Sequence, residues 1–295
     1  MSTLITANSE LCYEVFGKSN KQDMILISGL GSQMIRWDLA FCEMLVERGF
    51  RVIRFDNRDS GASLYTGESN IDLDRPIHAI FNEIRPEDIP YSLVDMAHDV
   101  IALLDHMKIE KAHIVGRSMG GMIAQLLASD FPKRIASMTI IMSTSRKPGL
   151  PLGDSDVMDA MLKPAVDKEK NRELYIKDRI GFAKRIYGQF PLNEVYERWL
   201  IETEIGRSRK KNTVVRQLLA IVSTPYDDSA LKRIKVPVLV IHGAEDPIFK
   251  PACGQDIAQQ IPGATFCLVR EMGHAIAPEL FGVIVKSIME KAITN

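Results

Sequence analysis

Residues 112–121 read Ala-His-Ile-Val-Gly-Arg-Ser-Met-Gly-Gly, and the fold can be worked out from this stretch. An apolar run ends at Gly116 and an alanine-, leucine- and isoleucine-containing segment follows from Met119, which predicts a strand turning into a helix with Ser118 at the corner. Such a corner strains the serine backbone and brings neighbouring segments close, so glycines at 116 and 120 keep side-chain bulk away. We expect the serine hydroxyl at the carboxyl end of a sheet, beside the positive end of a helix.

The composition is that of a globular protein, with 295 residues that can bury a substantial core. A formal net charge of −1 favours neither a nucleic-acid partner nor an anionic membrane surface. Four scattered cysteines (Cys12, Cys42, Cys253 and Cys267) form no metal-ligand pattern, which predicts free thiols, a cytoplasmic setting and no metal site. Residues 1–14 lack a signal-peptide pattern, and no apolar run approaches the roughly 20 residues of a membrane span.

Strands and helices alternate along most of the chain. Strands are predicted at 11–16, 24–28, 52–56, 112–116, 138–142, 236–241 and 265–269. Helices are predicted at 37–48, 93–107, about 119–130, 251–260 and 278–291, with one short helix in a proline-punctuated excursion at 62–92. This order is typical of an α/β protein whose mostly parallel sheet carries helices on both faces.

The alternation stops between residues 143 and 235. Prolines and glycines open this region, and residues 158–220 have a mainly helical pattern that is rich in charge. We interpret residues 143–235 as a helical cap insertion over the sheet, and residues 1–142 and 236–295 as the core. The apolar side chains of the cap either line a large pocket or form the cap's own interior.

A tight turn that contains a serine by chance is the alternative to a nucleophile at Ser118, and partner residues decide between them. A serine hydroxyl needs a base and a group that orients the base. His274 lies in a loop after the last predicted strand, where it can reach the carboxyl edge of the sheet. Asp246 follows a strand and a glycine turn, whereas the neighbouring Glu245 should point elsewhere. We interpret His242, at the end of the same strand, as a packed or capping residue.

Two backbone N–H groups are the expected donors to an oxyanion at this site. One belongs to Met119, directly after the serine, and the other to Leu30, in the turn after the strand at 24–28. That turn also resembles the start of a dinucleotide-binding fingerprint. Met34 stands where the third glycine of the fingerprint is needed, so the nucleotide interpretation is weak and no cofactor is expected.

Several separate motifs in the right order resemble the α/β-hydrolase superfamily over nearly the whole chain. They are Ser28-Gly29-Leu30-Gly31 with Trp37, Asp56 to Gly61, Gly116 to Gly121, Ile241 to Pro247, and Gly273-His274. Within the superfamily the chain is most similar to aclacinomycin methylesterases and to related macrolide esterases. The resemblance implies an α/β-hydrolase fold and a Ser118–Asp246–His274 triad acting on a small-molecule ester or lactone without metal or cofactor.

Two positions depart from the family's usual pattern. Ser28 replaces the histidine found in many members, which leaves the backbone donor in place. Arg117 lies beside the nucleophile where many relatives carry a smaller or neutral residue, and it either forms an ion pair or shapes the substrate pocket. We expect Gly29, Arg117, Trp37 and Met272 to lie at the substrate.

The sequence favours a carboxylic-ester hydrolase of the serine esterase or lactonase type, acting on a bulky ester such as a polyketide or macrolide antibiotic. A serine at residue 118 argues against dehalogenase or epoxide hydrolase chemistry, which uses an aspartate there in this superfamily. An enol-lactonase or a C–C bond hydrolase of aromatic degradation is the nearest enzymatic alternative. A non-catalytic hydrolase-fold ligand receptor is the alternative from a different class.

Overall fold

Strands between Ser2 and Val269 form one sheet in the computed structural model, which describes residues 1–73, 75, 77–163, 166–210 and 213–290. The strands are β1 Ser2–Ile5, β2 Ser9–Phe16, β3 Gln22–Ile27, β4 Phe50–Phe55, β5 Leu64–Tyr65, β6 Ala112–Arg117, β7 Ile135–Ile141, β8 Val238–Gly243 and β9 Thr265–Val269. Their order in the sheet is β1-β2-β4-β3-β6-β7-β8-β9, with β5 paired to β2. All pairings from β4 to β9 are parallel, while β1, β2 and β5 pair antiparallel. The predicted mostly parallel α/β sheet is confirmed.

Helices cover both faces of this sheet. They are α1 Leu39–Glu47, α2 Ile77–Glu83, α3 Leu93–His106, α4 Met119–Asp130, α5 Ser155–Leu162, α6 Arg172–Ile186, α7 Glu194–Arg207, α8 Val214–Ser223, α9 Ala230–Arg233, α10 Pro251–Gln260 and α11 Phe281–Ile288. Helices α1 and α11 pack on one face, and α3, α4 and α10 pack on the other. Among the described residues, no helix has both the length and the apolar character that crossing a bilayer requires.

Because helices cover both faces of the sheet, strand β3 carries a continuous run of apolar residues. In β3, Ile25 and Ile27 pack into the core on the α3–α4 side, while Met24 and Leu26 pack on the α1–α11 side. All four side chains are fully buried. Burial of each such side chain is worth about 1.5–3 kcal/mol, so both faces stabilise the strand that leads into the site.

The boundaries of several elements differ from the sequence prediction. Helix α1 begins at Leu39 rather than at Trp37, because the side chain of Asp38 caps it by accepting the N–H of Ala40 at 2.8 Å. Trp37 itself is buried in the core. Strand β1 was not predicted; it pairs antiparallel with β2 at the edge of the sheet. Residue 291, the predicted end of the last helix, lies outside the described residues.

The segment between β7 and β8 contains helices α5–α9. At its first end, Oγ of Ser143 donates to the carbonyl oxygen of Ser118 at 2.7 Å. At its second end, Ala220, Leu231 and Ile234 belong to the main core cluster beneath the sheet. Arg216 of α8 also forms a buried ion pair with Asp59, which follows β4. The division into a core and a cap at residues 143 and 235 stays a prediction.

Candidate active site

Ser118 lies at the junction of β6 and α4 with φ 53° and ψ −123°, a left-handed φ that is strained for a residue with a side chain. The close packing around it explains the glycines of the motif. A Cβ on Gly116 would overlap the carbonyl oxygen of Gly120, and a Cβ on Gly120 would overlap that of Ile27. Ser118 itself remains half-buried. The backbone therefore presents the serine at the carboxyl end of β6, as the sequence predicts.

A continuous chain of hydrogen bonds connects three residues from different loops. Nε2 of His274 lies 3.0 Å from Oγ of Ser118, and Nδ1 of His274 lies 2.8 Å from Oδ2 of Asp246. The other carboxylate oxygen, Oδ1, accepts the backbone N–H groups of Ile248 and Phe249 at 2.9 Å each. The structure thus brings together the three residues singled out as catalytic, with the geometry of a nucleophile, a base and an orienting acid.

His242 also contacts the carboxylate of Asp246. Its Nε2 donates to the carbonyl oxygen of Phe249 at 2.7 Å and lies 3.3 Å from Oδ2 of Asp246, and the side chain is fully buried. Burial would raise the pKa of Asp246, but His274 and His242 outweigh it and hold this pKa well below its ordinary value. The sequence predicts a packing or capping role for His242, because its contact with Asp246 depends on a turn that the strand pattern does not specify.

Replacement of His242 by phenylalanine is expected to lower kcat by about tenfold with little change in KM, because the 3.3 Å contact of its Nε2 with the anionic carboxylate of Asp246 is lost. The ring has a similar size, and Gly254 packs against it at the Nδ1 edge. Steady-state kinetics with an activated ester would measure the effect. A kcat equal to that of the wild-type protein would show that Asp246 does not depend on His242.

His274 is held by the segment that joins α6 to α7. The N–H of His274 donates to the carbonyl oxygen of Ile186 at 2.7 Å, and Gly188 forms an antiparallel bridge with Met272. Gly188 has φ +93°, and a Cβ on Gly273 would overlap the carbonyl oxygen of Ile186. The close approach of these two backbones explains both glycines and fixes the loop that carries the base.

The expected oxyanion donors lie on either side of the serine. A Cβ placed on Gly29 would be 3.0 Å from Cβ of Ser118, so the turn after β3 touches the nucleophile. Met119 is the first residue of α4, where backbone N–H groups have no intrahelical partner. Within the described part of the chain, the N–H groups of Leu30 and Met119 donate to no protein acceptor. Both therefore remain free to bind a developing negative charge.

The guanidinium of Arg117 contacts the segment that follows β3. It donates to Oγ of Ser32 at 2.7 Å and to the carbonyl oxygen of Arg36 at 3.2 Å, and it lies 4.9 Å from the ring centroid of Trp37. Burial, and next the charge of Arg36, lower the pKa of Arg117 to about 10. No carboxylate in the described residues forms the ion pair that was one interpretation of this arginine.

Two of the four residues expected at the substrate are located in the core. Trp37 and Met272 are 1% and 0% exposed and pack among the side chains between the sheet, α1 and α11. Side chains in that position cannot contact a ligand, so we do not propose either as a substrate contact. Gly29 lies against Ser118, and Arg117 is half-buried.

Gln217 of α8 is a residue near the site that the sequence analysis missed. Its Oε1 accepts the N–H of Gly31, in the turn that carries Leu30, at 2.7 Å. The two residues are 186 positions apart, so no local pattern indicates their contact. Among the described residues, no group of three or more His, Cys, Asp or Glu side chains could hold a metal ion.

Comparisons with known proteins agree with this fold. A family model for the α/β hydrolase fold matches residues 24–279. Rhodomycin D methylesterase DnrP of Streptomyces peucetius is 28% identical to this chain, over 94% of this chain and 93% of the methylesterase. 3-Oxoadipate enol-lactonase 2 of Acinetobacter baylyi is 25% identical, over 98% of this chain and 96% of the enol-lactonase. The crystal structure of a hydrolase from Pseudomonas aeruginosa superposes with a TM-score of 0.71, at 24% identity over 98% and 96% of the two chains.

The family model covers far more than half of the chain and includes the serine, the aspartate and the histidine described above. The resemblance to an aclacinomycin methylesterase-like hydrolase is confirmed by the match to a rhodomycin D methylesterase. The structural neighbour supports the same fold. The chain belongs to the α/β-hydrolase family.

Proposed function

We propose that this protein is a serine carboxylic-ester hydrolase that works through an acyl-enzyme. The observation that carries the proposal is the hydrogen-bonded chain from Asp246 through His274 to Ser118, with distances of 2.8 and 3.0 Å. A neutral histidine that receives a hydrogen bond from the serine and donates one to a buried carboxylate can act as a general base. Ser118 makes its hydrogen bond to this base from a backbone with φ 53°, a conformation that is strained for serine.

The first half of the reaction transfers the acyl group to the protein. Nε2 of His274 takes the proton of Ser118 as Oγ attacks the ester carbonyl carbon. The N–H groups of Leu30 and Met119 stabilise the resulting oxyanion, because they are preorganised donors that need no reorientation. Asp246 stabilises the imidazolium, which then protonates the leaving alcohol as the carbon–oxygen bond breaks.

The second half releases the acid. Water enters in place of the alcohol, and His274 removes its proton while the oxygen attacks the acyl carbon. The same N–H groups bind the second oxyanion, and the proton returns to Oγ of Ser118 as the acyl bond breaks. All groups in this cycle belong to the chain, so we propose that the reaction uses neither metal nor organic cofactor.

The proposed substrate is a bulky small-molecule ester or lactone, such as a polyketide or macrolide. The relative from Streptomyces peucetius, named a rhodomycin D methylesterase, supports this class. Apolar side chains of the α6–α7 connection and of the histidine loop (Tyr187, Phe190 and Ile276) are only partly buried beside the core. Opening of a macrolactone would make the protein an antibiotic-resistance enzyme. The four free cysteines fit a cytoplasmic location.

An enol-lactonase is the second candidate, favoured by the relative from Acinetobacter baylyi named 3-oxoadipate enol-lactonase 2. The same triad can serve that substrate and the substrate of a C–C bond hydrolase. A non-catalytic receptor is disfavoured, because receptors of this fold need no bonded triad and no free N–H pair beside the serine.

The test compares the wild-type protein with Ser118→Ala by mass spectrometry after incubation with a panel of esters. The panel contains short p-nitrophenyl esters, methyl esters, macrolactones and an enol-lactone. A serine-dependent gain of one water without fragmentation identifies a lactonase. Loss of a small alcohol identifies a methylesterase or general carboxylesterase. Labelling of Ser118 by a fluorophosphonate with no turnover of any ester would overturn the proposal in favour of C–C hydrolysis. No labelling would favour the receptor.

Arg117→Leu tests whether this arginine shapes the substrate pocket. If it does, KM for the true substrate should rise by about tenfold, in line with the loss of one hydrogen bond to a charged group. The bonds to Ser32 and Arg36 are lost in the same variant, so kcat should also fall. Unchanged KM in a folded variant would mean that Arg117 only supports the turn after β3.

A further inference from the structure

Gln217 connects helix α8 to the turn that forms one side of the oxyanion site. Its Oε1 accepts the N–H of Gly31 at 2.7 Å, and its Nε2 donates to the carbonyl oxygen of Arg58 at 2.7 Å. The side chain is fully buried. Because one partner can only donate and the other can only accept, the orientation of the amide is unambiguous.

The helix that carries Gln217 is itself fixed to the core. Arg216 forms two hydrogen bonds of 2.6 Å with the carboxylate of Asp59, and Oγ1 of Thr213 donates to the carbonyl oxygen of Asp59 at 2.5 Å. Both charged side chains of this pair are almost entirely buried. A bidentate pair of this kind restricts the rotation and translation of α8, so the amide of Gln217 is presented in one position.

The turn receives its conformation partly from this helix. Gly31 has φ +62°, and a Cβ placed there would lie 3.1 Å from Cγ2 of Val214, so α8 lies directly against it. The N–H of Gly31 is engaged by Gln217 and cannot turn toward a substrate. The N–H of Leu30, two residues after Ser28 and adjacent to the glycine that touches Ser118, donates to no acceptor in the described part of the chain.

We propose that Gln217 is a positioning residue that sets the oxyanion turn, residues 29–31, at the distance from Ser118 that the reaction requires. The inference rests on the proposed serine hydrolase function. Hydrogen-bond donors at an oxyanion act only where their distance from the developing charge is correct, and a displacement of about 1 Å costs about 100-fold in rate. A residue of the segment between β7 and β8 thus controls the part of the site that binds the transition state.

The experiment compares the wild-type protein with Gln217→Met, which keeps the length of the side chain and removes both hydrogen bonds. Fluorophosphonate titration counts the competent serines, and kcat is expressed per competent serine. We expect kcat to fall by about 10- to 100-fold while KM changes by less than about threefold. A boronic acid that forms a tetrahedral adduct with Ser118 should bind more weakly by the same factor, because it uses the same donors.

Leu219→Ala is the matched control, because Leu219 is buried in the same helix and packs against Ile80 and Val215 rather than against the turn. Its Tm should fall while kcat per competent serine stays at the wild-type value. Gln217→Asn is the second variant, for use if Gln217→Met does not fold. It keeps the amide but shortens the side chain by one methylene, so the amide no longer reaches Gly31 and kcat should fall by the same factor. A wild-type kcat per competent serine in either Gln217 variant would overturn the inference. Absence of serine-dependent turnover in the wild-type protein would instead refute the proposed function.

Discussion

Replacement of Ser118 by alanine is expected to lower kcat by about a million-fold, because the attacking oxygen and the proton that His274 receives are both lost. The hydroxyl makes one recorded side-chain hydrogen bond, to Nε2 of His274. Alanine experiences the same left-handed backbone as serine at φ 53°, so the elbow should form as before. Tm is therefore expected to stay within a few degrees of the wild-type value.

The measurement is steady-state hydrolysis of the best ester found in the panel, with the Tm of both proteins recorded in the same buffer. Ser145→Ala is a suitable control, because it removes the same hydroxyl group from a buried serine that bonds to Asp256, outside the triad. Its activity should remain within about threefold of the wild-type value. Turnover by Ser118→Ala above about one per cent of the wild-type rate, in a preparation free of contaminating esterase, would refute the acyl-enzyme scheme.

The residues of the candidate triad could be predicted because each follows a strand with a strong local pattern. Ser118 directly follows β6 within a glycine-rich motif, and Asp246 follows β8 after a glycine turn. Parallel strands bring their carboxyl ends to one edge of the sheet, so side chains in those loops converge whatever the intervening sequence. The order of the strands in the sheet was not needed for the inference.

The direction of a side chain could not be predicted in the same way. Met272 is two residues from His274, and Trp37 follows the turn after β3, yet both point into the core. The position of a residue relative to a motif predicts where its backbone lies. The direction of its side chain depends on the packing of α1 and α11, which the motif does not show. The contacts of α8 are also invisible locally, because Arg216 and Asp59 are 157 positions apart.

Replacement of Asp246 by asparagine is expected to lower kcat by about 10⁴-fold through the protonation of His274 rather than through its position. Oδ1 of Asp246 accepts two backbone N–H groups, so the oxygen of an asparagine amide takes that place. The NH₂ group then occupies the position of Oδ2 and donates to Nδ1 of His274. The remaining proton of the neutral ring moves to Nε2, which faces Ser118 and can no longer accept its proton.

The same substitution has a consequence for acid stability, whose sign follows from the lowered pKa of Asp246. Because the pKa of Asp246 is lowered in the native protein, its carboxylate stabilises the native state at pH values above 3.8, the ordinary pKa of the group. This stabilisation is lost as the pH falls toward the native pKa. Asparagine does not titrate, so the loss of unfolding free energy between pH 5 and pH 3, measured by denaturant titration, should be smaller in Asp246→Asn.

Glu245→Gln is the control for the kinetic effect of Asp246→Asn, since Glu245 is exposed and bonds to Gln189. A larger loss of kcat in Glu245→Gln than in Asp246→Asn would make Glu245 the orienting acid.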